Sequence, residues 1–364
     1  MQVRLDVLAG RPRDVGVELV DPGTSPADDR RSGPQAVAFA DAARPEIITR
    51  AQWGADESIR RGNPSYNPTV KVGFVHHTAS SNNYTPDQAA AMVRGIYAYH
   101  VKSNGWSDIG YNYLVDRFGR AYEGRAGGLD RYVIGAHTGG FNTNSFAVSL
   151  LGDFTTVPPS SDTVAMTANL LAWKLGSAYR DPKGTAVLTS AGGGASKYPA
   201  GAKVTFDVIS GHRDAGSTSC PGNTTYARLP GIRDQVLAKL GPAFVDPAVN
   251  QSDFAQASPG PVTVTARTLG AVSWTATALD AKGTELRTVT STEPSVNFSW
   301  DLTTADGRSV PPGSYAVRLT GVNGQNRALT YSAEVVVDGV LCRGTPIQRA
   351  LCRAQQRAAR RPRS

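Results

Sequence analysis

The sequence predicts a mixed α/β domain followed by an all-β sandwich. Two patterns carry that prediction. Between residues 46 and 240, strand-like and helix-like segments alternate. From 261 to 339, short β-type runs recur at spacings of roughly ten residues with turn residues between them. A third observation separates the two parts: all five histidines, His76, His77, His100, His137 and His212, fall in the first.

A chain of 364 residues exceeds one ordinary domain. Residues 2–7 and 15–20 alternate apolar and polar around an Arg-Pro turn and read as two short strands. Two strands are marginal alone, so residues 1–24 are expected to be the end of a β domain that begins upstream of Met1, together with any export signal. Residues 25–45, rich in Pro, Asp, Ser and Ala, read as a linker. Within 46–240, residues 70–76 are a strand candidate. Thr85-Pro86-Asp87-Gln88 marks a helix start, with Thr85 as N-cap, Pro86 in the first turn and Gln88 completing a capping box. Met92, Ile96 and Tyr99 continue that helix to about residue 103. Segments 111–116 and 120–123 form a hairpin, 145–151 a buried strand, 161–179 a second helix, 204–210 a strand and 224–240 a closing helix; 181–203 is expected as an exposed insertion. A linker at 241–260 precedes the sandwich, and 340–364 form a basic tail.

Composition excludes several classes. Charged residues are 19% and hydrophobic ones 40%, an ordinary globular balance. No apolar run approaches the roughly 18 residues that span a membrane. The net charge of +8 lies mainly in Arg343, Arg349, Arg353, Arg357, Arg360, Arg361 and Arg363, so it marks a solvated tail and not a nucleic-acid-binding body. Of the three cysteines, Cys342 and Cys352 can close a small loop in the tail if the protein is exported. Cys220 is left odd.

His76 ends one strand in VHHTAS and His212 follows another in ISGHRD, with Cys220 in a Pro-Gly turn beyond it. Parallel strand ends bring distant ligands together. Two neutral imidazoles and one thiolate leave the fourth zinc position open, the arrangement of a catalytic site, and His with Cys favours zinc over magnesium or calcium. The ordinary alternatives are a hydrogen-bonded structural histidine and a small buried cysteine. His77, adjacent to His76 on a strand, points the other way.

The ordered motifs IITRAQWGA, VHHTAS, GWSDIGYNYLVD with YEGR, GAHTGGFN, and GHRD with TSCPG resemble the N-acetylmuramoyl-L-alanine amidase family shared with peptidoglycan recognition proteins and phage T7 lysozyme, from about residue 47 to 240. The resemblance implies a central mixed β-sheet flanked by helices, zinc held by His76, His212 and Cys220, and a catalytic Tyr111 with Thr218 as a second donor. His77 and His137 read as lining the groove or supporting the ligands from behind rather than as ligands, and Asn142 as a substrate contact. Gly105-Trp106 and Arg125 resemble the type that prefers diaminopimelate stems, where a guanidinium grips the extra carboxylate. Glu123 is the nearest carboxylate by motif, with a hairpin ion pair as its alternative; His100 reads as structural, and Asn142 and Asn144 as possible sugar or stem contacts. The sandwich resembles a flagellar-hook-cap-type immunoglobulin-like domain through PPGSYAVRL. The implied protein is a secreted or wall-located monomeric zinc amidase acting on peptidoglycan, with no nucleic acid and no membrane span. A non-cleaving recognition module and a scaffold dominated by the sandwich are the competing readings.

Overall fold

The computed structural model describes residues 44–255, 260–270, 272–323 and 328–338. The strands expected at 2–7 and 15–20, the linker before residue 44, and the basic tail with Cys342 and Cys352 lie outside the described residues. The described chain divides into two compact units, residues 44–171 with 186–233, and 172–185 with those from 234 onward.

The first unit is built on a six-stranded mixed sheet in the order β1-β4-β3-β5-β2-β8. These strands are β1 (Ile47–Ile48), β2 (Val72–His77), β3 (Tyr113–Val115), β4 (Ala121–Glu123), β5 (Ser145–Leu150) and β8 (Ile209–Gly211). β3, β5, β2 and β8 run parallel, and β3 and β4 form the expected antiparallel hairpin. Both β2 and β5 are buried along their whole length. That is why VGFVHH and SFAVSL read as near-continuous runs, as strands covered on both faces must.

Helices cover the sheet. α1 (Arg50–Trp53) is capped by Thr49 and stops at Gly54, whose φ of 76° is left-handed. The Thr85 start behaves as expected, Gln88 Oε1 accepting the Thr85 N–H at 2.9 Å. A 3₁₀ turn over Pro86–Gln88 precedes α2 (Ala89–Ala98), which loosens into a π turn at Tyr99–Ser103. α3 (Ser161–Ser177) approaches the sheet over Gly73, where a Cβ would lie 2.7 Å from Leu171 Cδ2.

Two expectations need correction in this unit. The single strand read at 204–210 is two: β7 (Lys203–Asp207) pairs with β6 (Thr185–Thr189) in a separate arm, and β8 enters the central sheet. No Gly or Pro marks the switch; the alternation of VTFDVIS breaks only at the apolar pair Val208–Ile209, where the chain leaves one sheet for the other. The insertion at 181–203 is likewise not wholly exposed. It supplies β6, and Leu188 packs with Phe206, Phe74 and Phe141 in one apolar cluster. The closing helix begins as α5 (Asn223–Tyr226) and resumes as α6 (Leu229–Leu240), with Pro230 in its first turn; α4 (His212–Ala215) follows β8 directly.

The second unit contains a β-sandwich, a five-stranded sheet β10-β16-β15-β12-β13 and a three-stranded sheet β14-β11-β9. The strands are β9 (Ala243–Val249), β10 (Asp253–Ala255), β11 (Val262–Leu269), β12 (Val272–Leu279), β13 (Glu285–Ser291), β14 (Ser295–Trp300), β15 (Gly313–Asn323) and β16 (Ala328–Asp338). Alternate residues such as Val296, Phe298 and Trp300 turn inward to meet Val264, Trp274 and Val317. β9 and β10 occupy part of the stretch expected as a linker. β9 is an edge strand, which is where a proline such as Pro247 is tolerated and why the segment reads as loop.

The hairpin turn of the first unit depends on Asp116, which is fully buried. Its carboxylate accepts the Phe118 and Arg120 main-chain N–H groups, the Arg120 Nε–H and the Tyr122 hydroxyl. Asp116→Ala strands all four donors, and urea unfolding of the variant is expected to show a loss of about 3 kcal/mol; a loss below about 1 kcal/mol contradicts this assignment.

Candidate metal centre

Two neighbouring strand ends and one loop supply the candidate ligands. His76 is next to last in β2, and His212 opens α4 directly after β8, whose Gly211 pairs with Val75. Parallel pairing therefore sets the two imidazoles side by side, ring centroids 4.5 Å apart. Cys220 arrives from the loop between α4 and α5. Its Sγ lies 3.7 Å from His76 Nδ1 and accepts the His77 main-chain N–H at 3.4 Å. One donor atom each from His76, His212 and Cys220 lie within 4.8 Å of one another, and among the described residues no carboxylate joins them.

The Cys220 loop is held by its own backbone. Arg213 N–H donates to the Cys220 carbonyl at 2.9 Å, and Cys220 N–H donates to Thr218 Oγ1 at 3.1 Å. The β6–β7 arm braces it from outside, Ser217 N–H reaching the Ala195 carbonyl and Lys197 N–H the Ala215 carbonyl.

Burial moves every titratable group in the cluster toward its neutral form. It holds the His76 imidazole well below its ordinary value, helped by His212, His137 and His77. It lowers His137 to about 3 and His212 to about 4, and it pushes the Cys220 thiol up to about 12 against the pull of the His77 N–H and Arg213. Tyr111 is likewise raised, by burial first and by Cys220 second. An uncharged cluster of lone pairs and one ionisable thiol is a chemically suitable cradle for a divalent cation.

Tyr111 does not end a strand. It precedes β3, and its ring reaches across to 5.3 Å from His76 and 5.5 Å from His100. Gly110 beside it must be bare, since a Cβ would meet the Ala136 carbonyl oxygen at 2.5 Å and Trp106 Cζ3 at 2.8 Å. Trp106, 37% exposed, stacks on His100 with centroids 4.6 Å apart, and His100 Nδ1 accepts the Gly110 N–H. Gly105 turns at a φ of 69° with open space around it. Arg125 does not stand free: it donates to the Ile109 carbonyl and Ser107 Oγ, and so grips the loop that carries Trp106.

The remaining expected residues are placed as follows. His77 is buried, with Nδ1 accepting the Phe154 N–H at 3.2 Å, so its ring serves the 152–154 loop and its main chain serves Cys220. His137 is buried 5.5 Å from the His76 ring. Asn142 Oδ1 accepts the His137 and Thr138 N–H groups, both at 2.9 Å, and thereby fixes the GAHTGG loop. Asn144 takes a left-handed φ of 58° and donates its N–H to Asn67. The Glu123 carboxylate is engaged by the Arg50 N–H at the start of α1. Sequence reasoning passed over Thr138, whose hydroxyl lies between His76 and His137. Its only signal was its place beside His137.

Residues 66–223 match the family model for N-acetylmuramoyl-L-alanine amidase, and residues 250–325 that for the FlgD Ig-like domain. The chain is 32% identical over 185 residues to peptidoglycan-recognition protein SC2 of Drosophila simulans, an alignment covering 50% of this chain and 84% of that protein. It is 28% identical over 181 residues to peptidoglycan recognition protein 1 of Bos taurus, covering 50% and 80%. Among solved structures, Drosophila PGRP-LB aligns with a TM-score of 0.40 and 24% identity over 50% of this chain and 92% of that one.

The lowered imidazoles make a stability prediction. His100 and His212 titrate at about 4 and His137 at about 3 in the fold, below the unfolded value of 6.5. The unfolded chain therefore takes up more protons below pH 6.5, and stability falls as pH drops from about 6.5 toward 4. Each histidine contributes up to about 1.4 kcal/mol per pH unit in that window. Thermal unfolding of metal-free protein should show this decline, and a flat profile between pH 6.5 and 4.5 would contradict it.

Proposed function

Because the chain belongs to the peptidoglycan-recognition protein family, we propose that it is a zinc-dependent amidase that hydrolyses the bond between N-acetylmuramic acid and L-alanine in peptidoglycan, with diaminopimelate-type stems preferred. The convergence of His76, His212 and Cys220 beside Tyr111 is the observation that carries this proposal. A tetrahedral zinc with ordinary Zn–N and Zn–S bonds separates nitrogen and sulfur by about 3.6 Å, and the His76 Nδ1 to Cys220 Sγ distance is 3.7 Å. The relatives' name supports peptidoglycan as the partner.

Bound to His76, His212 and Cys220, zinc supplies Lewis acidity toward the scissile carbonyl and toward water. The chain's own groups do the rest. Tyr111, held as the neutral phenol by burial, keeps its proton and donates a hydrogen bond to the oxygen on which charge develops. Thr218 Oγ1 already accepts the Cys220 N–H, so its own proton is left to point at substrate. The His77 N–H on Sγ favours the thiolate. In hydrolysis the water oxygen bonds to the lactyl carbonyl carbon, the C–N bond breaks, and the L-alanine amine leaves with a proton. Trp106 offers an exposed aromatic face for the stem, and Arg125, with two donors on the Trp106 loop, turns its remaining N–H groups to a carboxylate. The substrate lies outside the cytoplasm, so action in the wall compartment, as a monomer, is part of the proposal.

Digestion of diaminopimelate-type peptidoglycan followed by mass spectrometry tests it. Stem peptides with a free L-Ala amine are expected from wild type, lost on chelation, restored by zinc and absent with Cys220→Ala. Protein that loads zinc and binds the polymer without releasing stems would make it a recognition protein. Tyr111→Phe is expected to lower kcat by about 10²- to 10³-fold with zinc content unchanged, and a kcat within threefold of wild type removes Tyr111 from the mechanism. Loading at pH 7 should release about one proton per zinc, that of Cys220, because the imidazoles are already neutral. Calorimetry in buffers of different ionisation enthalpy reads this directly, and a release near zero would exclude thiolate ligation.

A further inference from the structure

Thr138 is fully buried between two imidazoles. Its Oγ1 lies 3.2 Å from His76 Nε2 and 2.9 Å from His137 Nδ1. The other nitrogen of His76 is the one that faces Cys220 Sγ. A hydroxyl has one proton to give, and a neutral imidazole has one N–H. The chain of three therefore has two self-consistent directions. In one, His137 Nδ1–H donates to Thr138, whose hydroxyl donates to a bare His76 Nε2. In the other, His76 Nε2–H donates to Thr138, whose hydroxyl donates to a bare His137 Nδ1.

A cation on His76 Nδ1 needs a lone pair there and so moves the His76 proton to Nε2. Only the second direction then survives, and His137 must carry its proton on Nε2. That nitrogen is buried and has no hydrogen-bond partner. The ring cannot easily move away from it. Asn142 Oδ1 clamps the His137 and Thr138 N–H groups, and the ring lies so close on Gly135 that a Cβ there would meet Cδ2 and, at 2.8 Å, Nε2.

From this geometry we infer that Thr138 is a positioning residue that turns His76 Nδ1 toward the metal and, in doing so, sets the tautomer of His137, so that metal loading fixes the His137 proton on the buried Nε2. The inference rests on the proposal that His76 is a metal ligand. Thr138 acts through its neighbours and touches no reacting atom. The outer-sphere partner of a ligating histidine commonly changes metal affinity by about 10- to 100-fold when it is removed.

The test uses the full chain with ¹⁵N-labelled histidine, in zinc-free and zinc-loaded forms, as wild type, Thr138→Val and Thr138→Ser. Long-range ¹H–¹⁵N spectra report which nitrogen of each ring carries the proton, and competition with a chelator gives the zinc Kd. In wild type and Thr138→Ser, loading is expected to place the His137 proton on Nε2. In Thr138→Val, the His137 tautomer should no longer respond to zinc, and Kd should rise about 10- to 100-fold. Thr138→Ser supplies the hydroxyl in a folded variant, so its recovery separates a lost hydrogen bond from a damaged core. Bound zinc with an unchanged His137 tautomer in wild type overturns the relay alone. A wild-type chain that binds no zinc overturns the metal reading and the relay with it.

Discussion

A thiol and two imidazoles crowded under the surface at the edge of a parallel sheet are the constraint from which the rest of the first unit follows. Burial drives all of them toward neutrality, the Cys220 thiol upward and the His76 and His212 imidazoles downward. The cluster is therefore tolerable without charge but chemically incomplete, since three lone-pair donors within 4.8 Å of one another face inward with little to bind among themselves. A divalent cation would supply the missing positive charge and make the thiolate favourable, so on the proposed reading metal affinity and the desolvation of the site are two sides of one arrangement.

Sheet topology delivers that arrangement. β2 and β8 are adjacent and parallel, so the residue after Gly211 falls beside the residue after Val75, and these are His212 and His76. The cysteine cannot come from the same sheet edge and arrives on a loop. That loop is therefore tied at several points, to Thr218, to Arg213 and to the β6–β7 arm. The opposite wall is aromatic. Trp106, His100, Tyr111 and His76 form a ladder of ring contacts from an exposed face to the cluster, anchored by Arg125 and by an Arg50–Asp108 ion pair beneath the loop.

Much of this was legible in the chain because it is written in short local patterns. The Thr85–Gln88 cap, the RFG hairpin and the burial of β5 each follow from a few adjacent residues. The candidate ligands do not: HHT, GHRD and CPG are each weak alone, and the set His76, His212 and Cys220 comes from their ordered resemblance to the amidase family. What escaped is weakly marked. VTFDVIS has no Gly or Pro, and only the apolar pair Val208–Ile209 marks where its halves enter different sheets. Pro247 signals a loop but sits on an edge strand. Arg125 reads as a free guanidinium until the loop over Ile109 is seen to hold it. Thr138 is an ordinary threonine in the sequence, and only the meeting of β2 with the GAHTGG loop puts its hydroxyl between two imidazoles.

The central claim is a zinc centre of two histidine nitrogens and one cysteine sulfur, and the ligand shell itself can be measured. Zinc K-edge X-ray absorption of the loaded full chain should show one Zn–S path at about 2.3 Å with nitrogen or oxygen neighbours at about 2.0–2.1 Å. A first shell without sulfur would remove Cys220 from the centre and contradict the account. A shell of several sulfurs would contradict it equally, by assigning the ion to a site other than His76, His212 and Cys220.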